Sequence, residues 1–258
     1  MNNPYDDPFV QIAWLGAHGF DFVDYTHEPP KANLPLDKVD EFTGCLNYGL
    51  KGKGNKLDVV GHSAYYLPFD SPYPEVVEAA TKICLDSLDF VAKVGAKKFT
   101  IHFMPGQTQL SREKRIKMHI EFLSNIINHA DGIKIMLENS PTGGSQVIEF
   151  REILRELPQL GLHLDVAHAW IIGKMKEINA LLSLGRPSHL HVSENDGKTD
   201  LHNPLGTAYK FQMPWKEIIR RVKETGYDDT VTLEVFSPRK TLLLDSKTYF
   251  EELWHTTY

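Results

Sequence analysis

The stretch GLHLDVAHAW, Gly161–Trp170, carries the pattern that indicates both the fold and the site of this chain. Its first part, together with Leu160, predicts a short buried strand, Leu160–Asp165, that leads directly into an exposed loop. Asp165 and His168 stand three apart where this strand ends, so both side chains can turn toward one point beyond it. A carboxylate oxygen and a neutral imidazole nitrogen are good ligands of zinc or manganese. One such pair is weak support, because a buried aspartate at a strand end more often forms a cap or a turn.

Strands and helices alternate along the whole chain. The predicted strands are Phe20–Tyr25, Leu57–Val60, Lys98–Ile101, Ile133–Leu137, Leu160–Asp165, Ser188–Val192 and Thr230–Leu233. The predicted helices are Phe9–His18, Leu36–Leu50, Pro74–Gly95, Ser111–Ala130, Ser145–Leu157, Gly173–Leu184, Pro214–Thr225 and Lys240–Trp254. Short buried strands joined by crossover helices imply a parallel sheet.

This alternation predicts an α/β fold of the (β/α)8 TIM-barrel type. Only seven strands are visible, because a helix comes first and the residues before it, MNNPYDDP, cannot form a strand. We therefore expect the first strand of the barrel to be missing from this chain. No linker or low-complexity segment interrupts the pattern, so a single domain over residues 1–258 is predicted.

Nearly every predicted strand ends on a residue that can bind a metal ion. In a parallel barrel all strand C-termini lie on one rim, where the loops carry the chemistry. A single histidine or glutamate there is more often an ordinary loop residue, but six strand ends of this type are hard to explain in that way. The nine predicted ligands are His62, His102, Glu138, Asp165, His168, His191, Asp200, His202 and Glu234. Four carboxylates and five imidazoles favour Zn²⁺, in one to three ions, and the oxygen-rich subset also suits Mn²⁺ or Mg²⁺.

The bulk composition is that of an ordinary globular protein, with 41% apolar and 24% charged residues among 258. A net charge of −6 argues against a broad surface for polyanions. The two cysteines, Cys45 and Cys84, lie in helical patterns and are expected to stay reduced. No apolar run approaches the ~20 residues that a membrane span needs, so we expect no membrane partner and a cytoplasmic location.

The remaining histidines divide into two classes. His163 and His189 precede Asp165 and His191 by two residues, so they are expected to face the barrel interior one layer below the ligands. The others lie on predicted helices or outer loops and are expected to face solvent; they are His18, His27, His119, His129 and His255.

Three motifs together resemble a known superfamily. LENSP at 137–141, HLDVAH at 163–168 and the D-x-H at 200–202 followed by PLG are similar to the xylose isomerase-like barrels, which include AP endonuclease IV and many sugar or sugar-phosphate isomerases and epimerases. In endonuclease IV nine ligands hold three zinc ions, and the resemblance implies the same set of nine here. In the epimerase branch one metal is held by the equivalents of Glu138, Asp165, His191 and Glu234, with the two glutamates as acid–base partners.

The chain also departs from both branches. The endonuclease pattern has a second glycine soon after the D-x-H loop's first, and Gly206-Thr207-Ala208 lacks it. The epimerase pattern often has an arginine after the metal-binding histidine, where SENDGK offers only Lys198. Tyr65 and Tyr66 follow His62 where an endonuclease carries residues that wedge into DNA, although aromatic residues also suit the wall of a small pocket.

The favoured hypothesis is a metal-dependent sugar or sugar-phosphate isomerase or epimerase that uses metal-bound enediolate chemistry. Glu138 and Glu234 would be its acid and base, and His168, Lys198 and Tyr65 would bind a small polyhydroxylated substrate. The alternative is an endonuclease IV-like, zinc-dependent phosphodiesterase acting on abasic DNA. A third class, a metal-binding protein without catalysis, is disfavoured because every position of the ligand series carries a residue that can bind a metal ion. Homo-oligomerisation stays open, since a missing strand would expose a sheet edge.

Charge location separates the first two hypotheses. Binding a duplex needs basic residues around the metal, but Lys51, Lys53 and Lys56 fall on the opposite rim. The cations expected on the metal side are Lys31, Arg112, Lys174, Lys198, Lys210 and Arg239, offset by Asp24, Glu28, Asp70, Glu194 and Asp196. This balance favours the small substrate. The intact set of nine ligands favours the alternative, because a single-metal epimerase does not need His62 or His102.

Overall fold

The computed structural model describes residues 1–47, 56–106, 110–207 and 212–258. The helices of these residues are α1 (Pro8–Ala17), α2 (Val39–Leu46), α3 (Pro74–Lys93), α4 (Arg112–His129), α5 (Val147–Glu156), α6 (Val166–Leu182), α7 (Trp215–Glu224) and α8 (Lys240–Thr256). The strands are β1 (Phe22–Thr26), β2 (Asp58–His62), β3 (Lys98–His102), β4 (Lys134–Glu138), β5 (Gly161–Asp165), β6 (Pro187–Val192) and β7 (Val231–Leu233). None of the helices described here combines the length and the apolar character needed to cross a membrane.

The strand order in the sheet follows the chain from β1 to β7. The pairs β1–β2, β2–β3, β5–β6 and β6–β7 are all parallel. Their register aligns strand ends: Thr26 lies opposite His62, and Asp165 lies opposite His191. This is the α/β fold of the TIM-barrel type that the sequence predicts, with seven strands in the described part of the chain.

Residue contacts divide the chain into two compact units. The first unit comprises Met1–Met104 and Lys117–Met136, and the second comprises Pro105–Ile116 and Leu137–Tyr258. Strands β1 to β3 belong to the first unit, β5 to β7 belong to the second, and β4 spans the division. The single domain expected from the sequence stays a prediction.

The core of the first unit is built around aromatic side chains. Tyr25, Phe42 and Phe90 are fully buried, and the Phe42 ring meets Tyr25 and Phe90 edge to face at centroid distances of 4.7 and 5.5 Å. His27 stacks on Phe90 at 4.7 Å, with its Nδ1 at 3.0 Å from Ser87 Oγ. Each such aromatic pair adds about 1 kcal/mol to the burial itself.

Two of the histidines predicted to face solvent are part of this core, so that prediction is wrong for them. His27 is 5% exposed and His119 is fully buried, where its Nε2 accepts a hydrogen bond from the Met104 N–H at 3.1 Å. Both rings are buried because aromatic neighbours stack on them and polar atoms satisfy their nitrogens. His18, His129 and His255 are exposed as predicted.

The second unit corrects the prediction made for the stretch after β5. The residues from Val166 onward form the first turns of α6 rather than an exposed loop, and Val166 to Ala169 are all buried. The cause is a helix cap: the Asp165 carboxylate accepts a hydrogen bond from the His168 N–H at 2.6 Å. The helix predicted at Gly173–Leu184 is only its second half, and the two halves meet at a kink where Lys174 has φ 57°.

Some predicted features fall outside the described residues. These are the end of the second predicted helix at Leu50, the cations Lys51, Lys53 and Lys210, and Ala208, the last residue of the segment Gly206-Thr207-Ala208 that lacks a second glycine. The other predicted strands and helices agree with the structure to within a few residues at their ends.

Candidate metal centre

Four strand ends of the second unit bring metal-ligating atoms together. Glu138 ends β4, Asp165 ends β5, His191 lies in β6 and Glu234 follows β7 directly. Each offers one oxygen or nitrogen within 4.8 Å of the others, and all four side chains are buried. His191 Nδ1 is central, at 3.0 Å from Glu234 Oε2, 3.4 Å from Glu138 Oε1 and 3.9 Å from Asp165 Oδ2. We call these residues the four-residue cluster.

A second group lies beside this cluster. Asp200 Oδ2 is 3.1 Å from His168 Nε2 and 3.1 Å from His202 Nε2, so one carboxylate oxygen joins two imidazoles. We call these three residues the His–Asp–His group. It adjoins the cluster closely, because His202 Nδ1 is 3.6 Å from Glu234 Oε2 and His168 Nδ1 is 3.9 Å from Glu138 Oε1.

Burial and charge shift the pKa values of both groups. Burial raises the pKa of Asp165; its neighbour His168 opposes that rise and Glu234 adds to it. Burial would also raise the pKa of Glu234, but His191 outweighs it and the pKa falls below the ordinary range. Glu234 is therefore a carboxylate at neutral pH, able to bind a cation or accept a proton.

The three side chains of the His–Asp–His group stabilise one another's charged forms. Burial alone would lower the pKa values of His168 and His202, but Asp165 and Asp200 raise that of His168 to about 10. Asp200 and Glu234 raise that of His202 to about 9. The two imidazoles in turn overcome the burial of Asp200 and lower its pKa. A cation that binds these three residues has to displace the protons of both histidines.

The donor atoms present fit a divalent metal ion. Asp165 Oδ2 is buried and has no hydrogen-bond partner, although it lies 3.9 Å from His191 Nδ1. Asp200 Oδ1 and His202 Nδ1 are also buried and have no hydrogen-bond partner. Leaving such atoms unsatisfied costs free energy, which a bound cation offsets. A mixed set of carboxylates and imidazoles matches the preferences of Zn²⁺ and Mn²⁺.

Asn139 positions two of these side chains, and the sequence analysis did not single it out. Its Nδ2 donates to the Asp165 backbone O at 2.9 Å, and its Oδ1 accepts from the Asp165 N–H at 2.8 Å. His168 Nδ1 donates to the Asn139 backbone O at 2.7 Å, which leaves Nε2 directed at Asp200. Hydrogen bonds of this kind fix the tautomer and direction of a ligating histidine. The motif LENSP contains this asparagine, but its role depends on the pairing of β4 with β5.

The first unit places two further predicted ligands side by side. His62 and His102 end β2 and β3, and their ring centroids lie 4.7 Å apart. Tyr65 packs edge-on to His102 at 6.2 Å and is 64% exposed, so its ring is available to a ligand. The sequence analysis counted Glu28 only among the acids that offset the cations on the metal side. Glu28 is 7% exposed, and its Oε2 has no hydrogen-bond partner. It follows β1, where the His27 N–H donates to the His62 backbone O.

Two of the three basic residues described next bind other groups of the second unit. Lys198 is exposed on the loop after β6. Lys174 Nζ donates to the Gly197 backbone O at 2.6 Å, and Arg112 Nε donates to the buried Glu149 at 3.1 Å. Two of the expected cations are therefore already engaged within the protein.

A family model described as the xylose isomerase-like TIM barrel matches residues 12–253. The chain belongs to this family. Among its relatives is a protein named probable endonuclease 4, from Thermotoga sp. (strain RQ2), which is 24% identical over 216 residues, 75% of this chain and 71% of the relative.

Solved structures of the same fold carry different names. A D-tagatose 3-epimerase-like protein superposes with a TM-score of 0.83 at 19% identity, covering 98% of this chain and 95% of that one. The TTHB071 protein from Thermus thermophilus, in crystals soaked with ZnCl2, superposes with a TM-score of 0.63 at 26% identity, covering 85% and 87%. The chain is thus similar in sequence to a protein named for endonuclease activity and similar in fold to a protein named for sugar epimerisation.

Proposed function

We propose that this chain is a metal-dependent isomerase or epimerase of a small polyhydroxylated compound, a sugar or sugar phosphate. The observation that carries the proposal is the position of two glutamates. Glu138 and Glu234 approach His191 Nδ1 to 3.4 and 3.0 Å within one buried cluster that also contains Asp165. Two carboxylates in one metal-binding pocket are the groups that moving a proton between carbon atoms requires.

The four-residue cluster would hold the metal, with Zn²⁺ first and Mn²⁺ or Mg²⁺ as alternatives. The ion would supply a Lewis acid that withdraws electrons from a substrate carbonyl oxygen and so acidifies the neighbouring C–H. Glu234, whose pKa is lowered beside His191, is ionised at neutral pH and can accept that proton. Glu138 would return a proton from its own side. Because one carboxylate removes the proton and the other delivers one, the carbon-bound hydrogen of the substrate is replaced by one that derives from solvent.

His168, Lys198 and Tyr65 are proposed to contact the substrate. Lys198 and Tyr65 are exposed, and His168 is buried beside Asp200. His168 can therefore serve as a metal ligand or as a hydrogen-bond donor to a substrate hydroxyl, depending on how many ions are bound.

A zinc-dependent phosphodiesterase acting on abasic DNA is the second candidate. The His–Asp–His group favours it, because a single-metal isomerase needs only the four-residue cluster. The neighbouring rings of His62 and His102 also favour this candidate, as does the name of the relative from Thermotoga. The engagement of Arg112 and Lys174 within the protein favours the small substrate instead.

One experiment separates the two candidates. The zinc- and manganese-loaded protein is assayed for exchange of the carbon-bound hydrogen of a panel of ketoses and ketose phosphates in deuterated water, and in parallel for incision of an abasic duplex. The proposal expects deuterium incorporation into at least one sugar and no incision above the metal-only blank. Incision without any deuterium exchange would overturn it in favour of the phosphodiesterase.

A further inference from the structure

Glu194 holds a loop through buried hydrogen bonds, whereas the sequence analysis counted it only among the acids that offset the cations on the metal side. Glu194 is fully buried. Its Oε1 accepts a hydrogen bond from the Met213 N–H at 2.8 Å, and its Oε2 accepts one from Trp215 Nε1–H at 2.8 Å. The carboxylate therefore ties the end of β6 to the start of α7. Hydrogen bonds to a buried carboxylate are among the stronger ones in proteins.

The backbone of Glu194 makes a second connection. Its N–H donates to the Asn203 backbone O at 2.9 Å, and its own O accepts from the Asn203 N–H at 3.0 Å. The two residues form an isolated antiparallel bridge. Glu194 is thus fixed at once to the start of α7 and to the far end of the loop that contains Asp200 and His202.

His202 depends on this bridge for its conformation. It precedes Asn203 directly and has φ 46°, a left-handed backbone that is uncommon for residues other than glycine and that its surroundings help to hold. Its backbone O accepts from the Phe236 N–H at 3.2 Å, and its Nε2 lies 3.1 Å from Asp200 Oδ2. Holding Asn203 in place therefore also holds the imidazole of His202 against Asp200.

We propose that Glu194 is a positioning residue that sets the geometry of Asp200 and His202, and so sets the affinity of the His–Asp–His group for zinc. This inference rests on the proposed metal-binding function. It concerns a residue that touches neither metal nor substrate and acts through the backbone of Asn203. Residues that orient ligands in this way alter metal affinity by about 10–100-fold when they are replaced.

The test uses a mismatch of hydrogen-bond donors. In Glu194→Gln the amide offers one acceptor to two donors, so its NH₂ group must face the Met213 N–H or the Trp215 Nε1–H. Trp215→Phe removes the second donor, so the double variant relieves the mismatch. Zinc affinity is measured by competition between full-length protein loaded with zinc chloride and a fluorescent chelator. His202→Gln should abolish the binding of one zinc ion per chain. We expect Glu194→Gln to weaken the affinity for that same zinc ion by about tenfold or more.

The rescue distinguishes positioning from a general loss of stability. Adding Trp215→Phe to Glu194→Gln should recover at least threefold of the lost affinity, whereas Trp215→Phe alone should weaken zinc binding. Glu177→Gln is the control for replacing a buried carboxylate elsewhere, because Glu177 is also buried and its Oε1 accepts from one side chain, Ser145, and one backbone N–H, that of Gln146. It should change zinc affinity less than twofold, because the amide oxygen can accept both hydrogen bonds.

Each result decides the matter. If Glu194→Gln binds zinc as tightly as Glu177→Gln does, or if the two substitutions weaken binding additively, Glu194 is not a positioning residue. If Glu194→Gln does not fold, Trp215→Phe alone decides, and unchanged zinc affinity in that variant would overturn the proposal. A wild-type protein that binds no divalent metal ion would overturn the proposed function itself, which is a different result from wild-type zinc binding that Glu194→Gln leaves intact.

Discussion

At the scale of single residues, the site depends on carboxylates placed in a buried environment next to histidines. Burial alone raises the pKa of both Asp165 and Glu234, and the neighbouring His191 reverses this for Glu234. Residues of the same chemical type are thereby given different protonation behaviour within one pocket. Such a division between neighbouring acids is typical of functional sites.

Glu138→Gln tests the assignment of an acid–base pair. The substitution keeps the size of the side chain and one oxygen but removes the group that carries the proton. We expect turnover to fall by at least about a hundredfold, the typical contribution of a general acid or base. Unfolding midpoints should stay near that of the wild type, as measured by urea titration of the metal-loaded protein.

The matched control for this variant is Glu152→Gln, which alters a glutamate on the outer face of α5 that pairs with Arg155 at 2.6 Å. It should leave turnover unchanged. Full activity in Glu138→Gln would show that this glutamate neither donates nor accepts the transferred proton.

His27 provides a prediction for pH. Its pKa is lowered from about 6.5, chiefly because the ring is buried, with the Leu34 carbonyl opposing the shift. The folded state therefore binds this proton more weakly than the unfolded state, so the stability contributed by His27 is complete above about pH 6.5 and is lost as the pH falls below it. We expect the stability difference between wild type and His27→Gln to shrink between pH 7 and pH 5, measured by urea unfolding. A difference that stays constant over this range would show that the pKa of His27 is the same in the folded and the unfolded state.

At the scale of secondary structure elements, the sequence predicts nearly all of the order and type of the strands and helices. The periodicity of apolar residues indicates each strand and helix from its local sequence. The ligand-type residues are then recognised at the ends of the predicted strands. The error after Asp165 has a local cause as well, since this aspartate caps a helix and the small apolar residues that follow it continue that helix instead of forming a loop. The burial of His27 and His119 could not be predicted, because it depends on aromatic neighbours far away in the sequence.

Gly61 tests how strand β2 packs against the helix behind it. A Cβ at Gly61 would lie 2.6 Å from Val91 Cγ2 and 2.9 Å from Phe99 Cδ2, both in the buried core. Gly61→Ala should therefore destabilise the protein by about 1–3 kcal/mol, the usual cost of overpacking. The measurement is the free energy of unfolding in urea at constant metal loading.

Gly44→Ala is the control for this substitution. Gly44 lies within α2, and a Cβ there would meet no atom within 4 Å. Because alanine is the better helix former, Gly44→Ala should stabilise the protein by up to about 1 kcal/mol. If Gly61→Ala were as stable as Gly44→Ala, the close packing between β2 and α3 would be wrong.

At the scale of the whole molecule, nine ligand-type residues lie at or after strand ends spread over the sequence from His62 to Glu234. Sequence analysis finds them because a parallel α/β sheet sends every strand's C-terminus to the same edge. The supporting roles of Asn139 and Glu194 are not visible in this way, since their partners, which are the Asp165 backbone, the Met213 N–H and the Trp215 indole N–H, are brought close only by the fold. The net charge of −6 agrees with a small substrate better than with a nucleic acid.

The most direct test of this account is the metal content of the purified protein, measured by elemental analysis after dialysis, beside Asp165→Ala as the variant that removes one ligand of the four-residue cluster. The account predicts at least one tightly held divalent transition-metal ion per wild-type chain and a clear loss in the variant. Three zinc ions per chain would still agree with a metal centre but would favour the phosphodiesterase. A wild-type protein that retains no metal at all would contradict the account.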